Sequence, residues 1–117
     1  MANKAKYLMI ASMDVDPEHE AIFNEVYDKE HVPNLNKVPG VLGITRYKRG
    51  TLTMNIGGER KTIEIPHEPV YTAIYELESP DVLTSAAWDK AIEDGRWPSQ
   101  VRPYTRNRRH VLLKIMD

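Results

Sequence analysis

The chain has 117 residues, 41% hydrophobic and 28% charged, with a net charge of −1 and no cysteine. That length makes one domain, residues 1–117, able to bury roughly two-thirds of its unfolded surface without staples. The charge balance excludes a global field that gathers nucleic acid or acidic lipid, and the missing thiols exclude disulfides, thiolate metal sites and a cysteine nucleophile.

Residues 7–13, Tyr-Leu-Met-Ile-Ala-Ser-Met, predict a first strand that is apolar on both faces. Lys4 and Lys6 precede this run as they would in a signal peptide. The run is short, however, ends at Asp14 and has no small-residue cleavage site, so it reads as a strand. No segment approaches the ~20 apolar residues of a membrane span. The expectation is a cytoplasmic protein without a membrane partner.

Asp16-Pro17 is a helix-start signal, with aspartate to cap N–H groups and proline tolerated at the first helical position. The helix is predicted over 17–31, with Phe23, Val26, Tyr27 and Glu30 on one face and Ile22 and His31 at its margins. Pro33 disfavours helical geometry at Val32 and ends it there. Val38-Pro39-Gly40 is a turn, and residues 41–48 a second strand. Residues 51–65 form a hairpin around Gly57-Gly58. A four-residue loop over 57–60 pairs Met54 with Ile63 and Leu52 with Ile65, an apolar match that favours it over a two-residue loop.

A third main strand covers 71–77. Ser79-Pro80 opens a second helix that ends at Gly95, with Thr84, Ala87, Trp88, Ala91 and Ile92 on its apolar face. Residues 96–107 hold two prolines and read as irregular, and the last strand is predicted over 108–116. The order is strand-helix-strand, an inserted hairpin, then strand-helix-strand. The economical packing is an α+β, ferredoxin-like βαββαβ sheet with both helices on one face. An antiparallel strand normally alternates apolar with polar, yet 7–13 and 111–116 do not. A second copy packed on the open face explains both runs and covers an apolar edge strand, so a homodimer is expected.

Several motifs then resemble a known superfamily. Glu30-His31-Val32-Pro33, Val38-Pro39-Gly40-Val41 and Arg46-Tyr47 resemble the dimeric α/β-barrel superfamily, and its EthD-like members in particular. The stretch from Tyr71 through Ser79-Pro80, with Trp88 in the following helix, is similar too. The resemblance implies a homodimer whose sheets form a barrel, with a pocket between sheet and helices. That superfamily hosts cofactor-free monooxygenases, isomerases, cyclases and haem proteins, so fold alone names no reaction.

His31 is the candidate catalytic residue, since an imidazole moves protons near neutral pH. The plain alternative is a helix-capping histidine. Phe23, Tyr27, Tyr47, Tyr75 and Trp88 are candidates for a substrate-binding aromatic pocket, against simple core packing. Arg46 and Tyr47 point to opposite sheet faces, so only one can meet that pocket. Arg96, Arg102, Arg106, Arg108 and Arg109 cluster near Trp97 and Tyr104. Such a cluster suits ion pairs at a solvated surface, or a carboxylate clamp, or single-stranded nucleic acid. His19, His31, His67 and His110 show no metal-ligand spacing, the second helix lacks a haem-ligating histidine, and no phosphate-loop or Rossmann glycine pattern occurs. No metal and no cofactor are expected. The function these readings support is binding of a small apolar or aromatic metabolite. The reaction would be monooxygenation, isomerisation, dehydration or cyclisation with His31 as general acid or base. The alternatives are a non-catalytic ligand-binding or accessory protein, and a nucleic-acid module using the arginine cluster.

Overall fold

A computed structural model of the protein describes residues 4–116. β1 (Tyr7–Val15) leads through α1 (Glu20–Val26), a π-helical turn (Tyr27–His31) and α2 (Val32–Asn36) to β2 (Val41–Lys48). The hairpin β3 (Leu52–Ile56) and β4 (Glu59–Ile63) follows, then β5 (Tyr71–Leu77). A 3₁₀ turn (Pro80–Thr84), α3 (Ala86–Ile92), a second π-helical turn (Trp97–Val101) and a 3₁₀ turn (Arg102–Tyr104) lead to β6 (Thr105–Lys114). The main sheet has the order β2-β5-β1-β6, each neighbour antiparallel. This is the ferredoxin-like α+β arrangement expected from the sequence.

Period-two alternation decides which residues face the helices. In β5, Tyr71, Ala73, Tyr75 and Leu77 are buried and the residues between them are half-buried. Met9, Ala11, Met13 and Val15 of β1 share that inner face. Phe23, Val26, Tyr27 and Leu35 cover it from the first helical segment, and Val82 and Trp88 from the second. The opposite face carries Leu8 and Ile10, with Leu113 and Val111 as their β6 partners. Val111 and Leu113 stay 49% and 47% exposed. The radius of gyration is 16.1 Å, where a compact domain of this length has roughly 13 Å.

Several local expectations are corrected. Pro33 does not end the first helix. The π turn widens the ladder, Val32 donates to the Tyr27 carbonyl, and Pro33 then falls in the first turn of α2. Its missing N–H and its ring therefore meet no helical partner. Asp16 does not cap with its side chain; the carboxylate pairs with Arg106 at 3.3 Å. The second helix breaks at Ser85, whose backbone is extended and whose Oγ accepts from the Trp88 N–H. Ser and Thr hydroxyls compete with the helical ladder here, as Thr84 and Ser85 both donate to carbonyls three residues back.

The hairpin has a two-residue loop, not four. Leu52 pairs with Ile63, Met54 with Lys61 and Ile56 with Glu59. Gly57 and Gly58 both have positive φ (60° and 83°), which is the two-residue hairpin turn. Turn geometry outweighs the apolar cross-strand match because the hairpin face meets no core: Leu52, Met54 and Ile56 all remain exposed. Replacing Gly58 by Val should strain this turn by about 1–2 kcal/mol. Hydrogen exchange should then speed up at the amides of β3 and β4 alone, while those of β1 and β5 keep their protection. Equal loss in both sheets would show that the hairpin is coupled to the core.

Candidate functional site

The first helical segment and α3 cover the sheet incompletely and leave an open cavity of about 480 Å³. Met9, Ala11 and Met13 of β1 and Tyr75 of β5 form its floor. Tyr27, His31 and Leu35 form one wall, and Trp88, Ile92 and Trp97 another. Glu93, Arg102, Arg108 and His110 form a charged rim. A cleft at the hairpin root is comparable in size but gathers no histidine or aromatic side chain. Among the described residues, no three metal-ligating side chains converge, and no helix is long and apolar enough to cross a membrane.

The π turn places Tyr27 and His31 together. His31 is buried and lies flat on Trp97, ring centroids 4.0 Å apart and planes 11° from parallel. It meets Tyr27 edge-on at 5.2 Å. Its Nδ1 is buried and has no hydrogen-bond partner among the described residues. Burial first, and the nearby Arg102 cation second, lower its pKa to about 4. At pH 7 the imidazole is therefore neutral, an acceptor rather than a donor of protons. The helix does not end here, so no helix terminus favours the charged form, and capping is not its role.

The Tyr27 and Tyr75 hydroxyls bond each other at 3.0 Å inside the core. Burial raises the pKa of both, so both stay phenols. The Arg46 guanidinium lies 4.3 Å from the Tyr27 ring centroid, held by Asp28 at 2.6 Å and Asn24 at 2.8 Å. Trp88 meets Tyr75 edge-on at 5.6 Å.

Of the residues singled out from sequence, His31, Tyr27, Tyr75 and Trp88 come together at the cavity. Phe23 stands behind its wall, fully buried between Tyr27, Tyr71 and Trp97. Tyr47 is 53% exposed and pairs with Thr72 on the outer sheet face, so it cannot line this cavity. The parity question at β2 resolves to Arg46 facing the helices. Sequence reading missed Trp97, Met9 and Met13 as lining residues. The one available signal was a tryptophan among arginines in a segment read as irregular. Of those arginines, Arg96 pairs with Glu30 at 2.5 Å, Arg102 with Glu93 at 2.9 Å, Arg106 with Asp16 and Arg109 with Glu68 at 2.8 Å.

No protein-family model matches the chain, and no curated protein matches it in sequence. Two solved structures are similar in fold. One is an ethyl tert-butyl ether D (EthD) family protein from Bacillus halodurans C-125, at TM-score 0.57 and 12% identity over 94% of this chain and 99% of that one. The other is the haem degrader MhuD of Mycobacterium tuberculosis, solved with two haems in its active site, at TM-score 0.54 and 12% identity over 95% and 97% of the two chains. At these identities the likeness is one of fold. It agrees with the ferredoxin-like α+β fold that the resemblance to EthD-like proteins implies.

The burial of neutral His31 has a consequence for stability. The unfolded imidazole takes up a proton near pH 6.5 and the folded one only near 4. Between those values the unfolded state binds more protons, so stability falls as pH falls across that window. The drop from pH 7 to 4.5 should be about 2–3 kcal/mol from this group. Urea unfolding of the wild type and His31→Gln at both pH values checks it: the variant should lose that much less. Equal losses would place the His31 pKa near its ordinary value.

Proposed function

We propose that the chain binds a small apolar or aromatic metabolite in the cavity between sheet and helices, and that His31 takes a proton from it. The observation that carries this reading is the buried, neutral His31 in the cavity wall, with an Nδ1 that has no hydrogen-bond partner among the described residues. Buried polar atoms are nearly always paired, so the unpaired Nδ1 of an imidazole that lines a cavity is the atom we assign to a ligand or a water. The surroundings suit an apolar guest: two tryptophans, two methionines and a phenol pair whose hydroxyls are largely used on each other. Cofactor-free oxygenation, isomerisation, dehydration and cyclisation share one need, a positioned proton acceptor in a partly dry pocket. MhuD, a protein of similar fold, holds haems in its own active site, which supports small-ligand binding on this fold.

The same reading makes the protein a homodimer through the outer sheet face. The chain exposes 8051 Å², where a monomer of its mass exposes roughly 6,500 Å². The excess, part of which belongs to the exposed hairpin, is more than the roughly 800 Å² that one partner contributes to a standard interface. Leu8, Ile10, Val111 and Leu113 supply its apolar centre, and nothing else in the described chain covers them. A second reading, ligand binding without turnover, keeps the cavity and gives His31 only a packing role on Trp97.

Native mass spectrometry of gently purified protein gives the assembly mass and any retained ligand. A dimer near twice 13.5 kDa with a small adduct is the expected result. With that ligand, His31→Gln should keep binding within a few-fold and lower turnover at least a hundredfold. Turnover unchanged in His31→Gln would remove His31 from the chemistry, and no turnover in the wild type would favour the binding reading. Leu113→Glu on the outer face should give a folded monomer, while Leu112→Glu, opposite Met9 on the inner side, should remain dimeric. A dimeric Leu113→Glu protein would contradict the face-to-face arrangement.

A further inference from the structure

We infer that Arg108 is an anion-binding group of the cavity, and that its ligand is therefore an acid: a carboxylate on an apolar or aromatic frame. The inference rests on the proposed cavity and names the class of compound it takes.

The register of β6 puts Arg108 where it is. Arg109 pairs with Ser12, but Arg106 pairs with Asp14, so two β6 residues, Asn107 and Arg108, stand against Met13 alone. This is a β-bulge. Asn107 takes the extra position with φ 53°, a left-handed conformation that asparagine tolerates better than most residues. Its amide donates to the Asp14 carboxylate at 3.0 Å and to the His67 carbonyl at 2.7 Å, which holds the bulge in place. In an unbroken strand Arg106 and Arg108 would share a face. The added residue separates them: Arg106 turns to Asp16, while Arg108 lines the cavity. Bulges beside binding sites commonly re-aim one side chain in this way.

The charge balance supports the same assignment. Each of the other four arginines of this segment has a carboxylate partner. Among the described residues, Arg108 has none within ion-pair distance and donates no hydrogen bond. A guanidinium presents a planar fork that matches a carboxylate with paired N–H groups. His110, two residues on and also at the rim, has its pKa lowered by burial and by the Arg108 charge. His31 feels Arg102 in the same sense. The rim is thus net cationic above an apolar floor, complementary to an amphipathic acid. A carboxylate seated there would leave its apolar body against Trp88, Trp97 and the methionines, with His31 beside it.

The test compares 2-naphthoate with its neutral analogue 2-naphthalenemethanol, read by quenching of tryptophan fluorescence in the intact protein. The wild type should bind the acid at least tenfold more tightly than the alcohol. Arg108→Gln should abolish that preference while leaving alcohol affinity within about twofold, and Arg106→Gln should keep the preference. Circular dichroism establishes that each variant is folded. Equal affinity for acid and alcohol in the wild type, or a preference that survives Arg108→Gln, would overturn the inference while leaving the cavity intact. Failure of both compounds to bind would overturn the cavity reading and this inference with it.

Discussion

The π-helical turn at Tyr27–His31 is the constraint on which the rest of the site depends. A regular helix through Pro33 would set the proline ring against a carbonyl one turn back, at a cost of about 3 kcal/mol or more. The wide turn removes that clash and lets the chain continue as α2, whose Leu35 then fills the core. It also brings His31 inward. A histidine at a true helix end would sit at the margin and titrate near its ordinary value. Here it lies under Trp97, in the region where a second π turn begins. Glu30, on the same turn, accepts from both the backbone N–H and the Nε of Arg96, which fixes the chain just before Trp97. A proline and an ion pair thus cooperate to bury one imidazole.

The two faces of the sheet divide the work. The inner face carries aromatics and methionines, and two short, broken helical segments leave part of it open as the cavity. The outer face has an apolar centre and no helix over it among the described residues, while the separate, exposed hairpin extends the molecule beyond the radius of gyration of a compact monomer. β6 belongs to both. Its inner residues His110 and Arg108 reach the cavity rim, and its outer residues Val111 and Leu113 extend the bare face. An assembly through that face would set the rim of each cavity close to the interface by way of a single strand.

The strand order and both crossovers were legible in the sequence because period-two runs, Pro-Gly turns and Ser-Pro or Asp-Pro starts are local signals. Tyr27 and Trp88 were legible because the helix period put them on inward faces, whereas His31 stood at the margin of its face and Tyr75 was one of several aromatics that could line a pocket. What escaped was set by competition between local rules. Pro33 as a stop lost to the π turn. The Met54–Ile63 pairing lost to the Gly57-Gly58 turn, because an uncovered hairpin face gains little from register. Asp16 as a cap lost to an ion pair with a residue ninety positions away. Strand parity placed Arg46 and Tyr47 on opposite sides but could not say which was inward. Trp97 and Arg108 lie in a segment without periodicity, and the bulge that aims Arg108 depends on Asp14 and His67, contacts that no window of sequence contains.

The chemistry follows from where charge is permitted. Tyr27 and Tyr75 keep their protons because burial penalises phenolate, even with Arg46 close by. His31 stays unprotonated because burial penalises imidazolium and Arg102 adds to that. The cavity wall therefore holds neutral titratable groups, with the Arg102 and Arg108 cations at its rim and Arg46 behind Tyr27. The most direct test of this account is a ¹⁵N NMR titration of the His31 ring nitrogens. The account predicts a neutral imidazole at pH 7 that titrates near pH 4. A His31 titrating near 6.5 would mean that the ring is solvated rather than buried under Trp97, and would contradict the buried neutral imidazole on which the site is built.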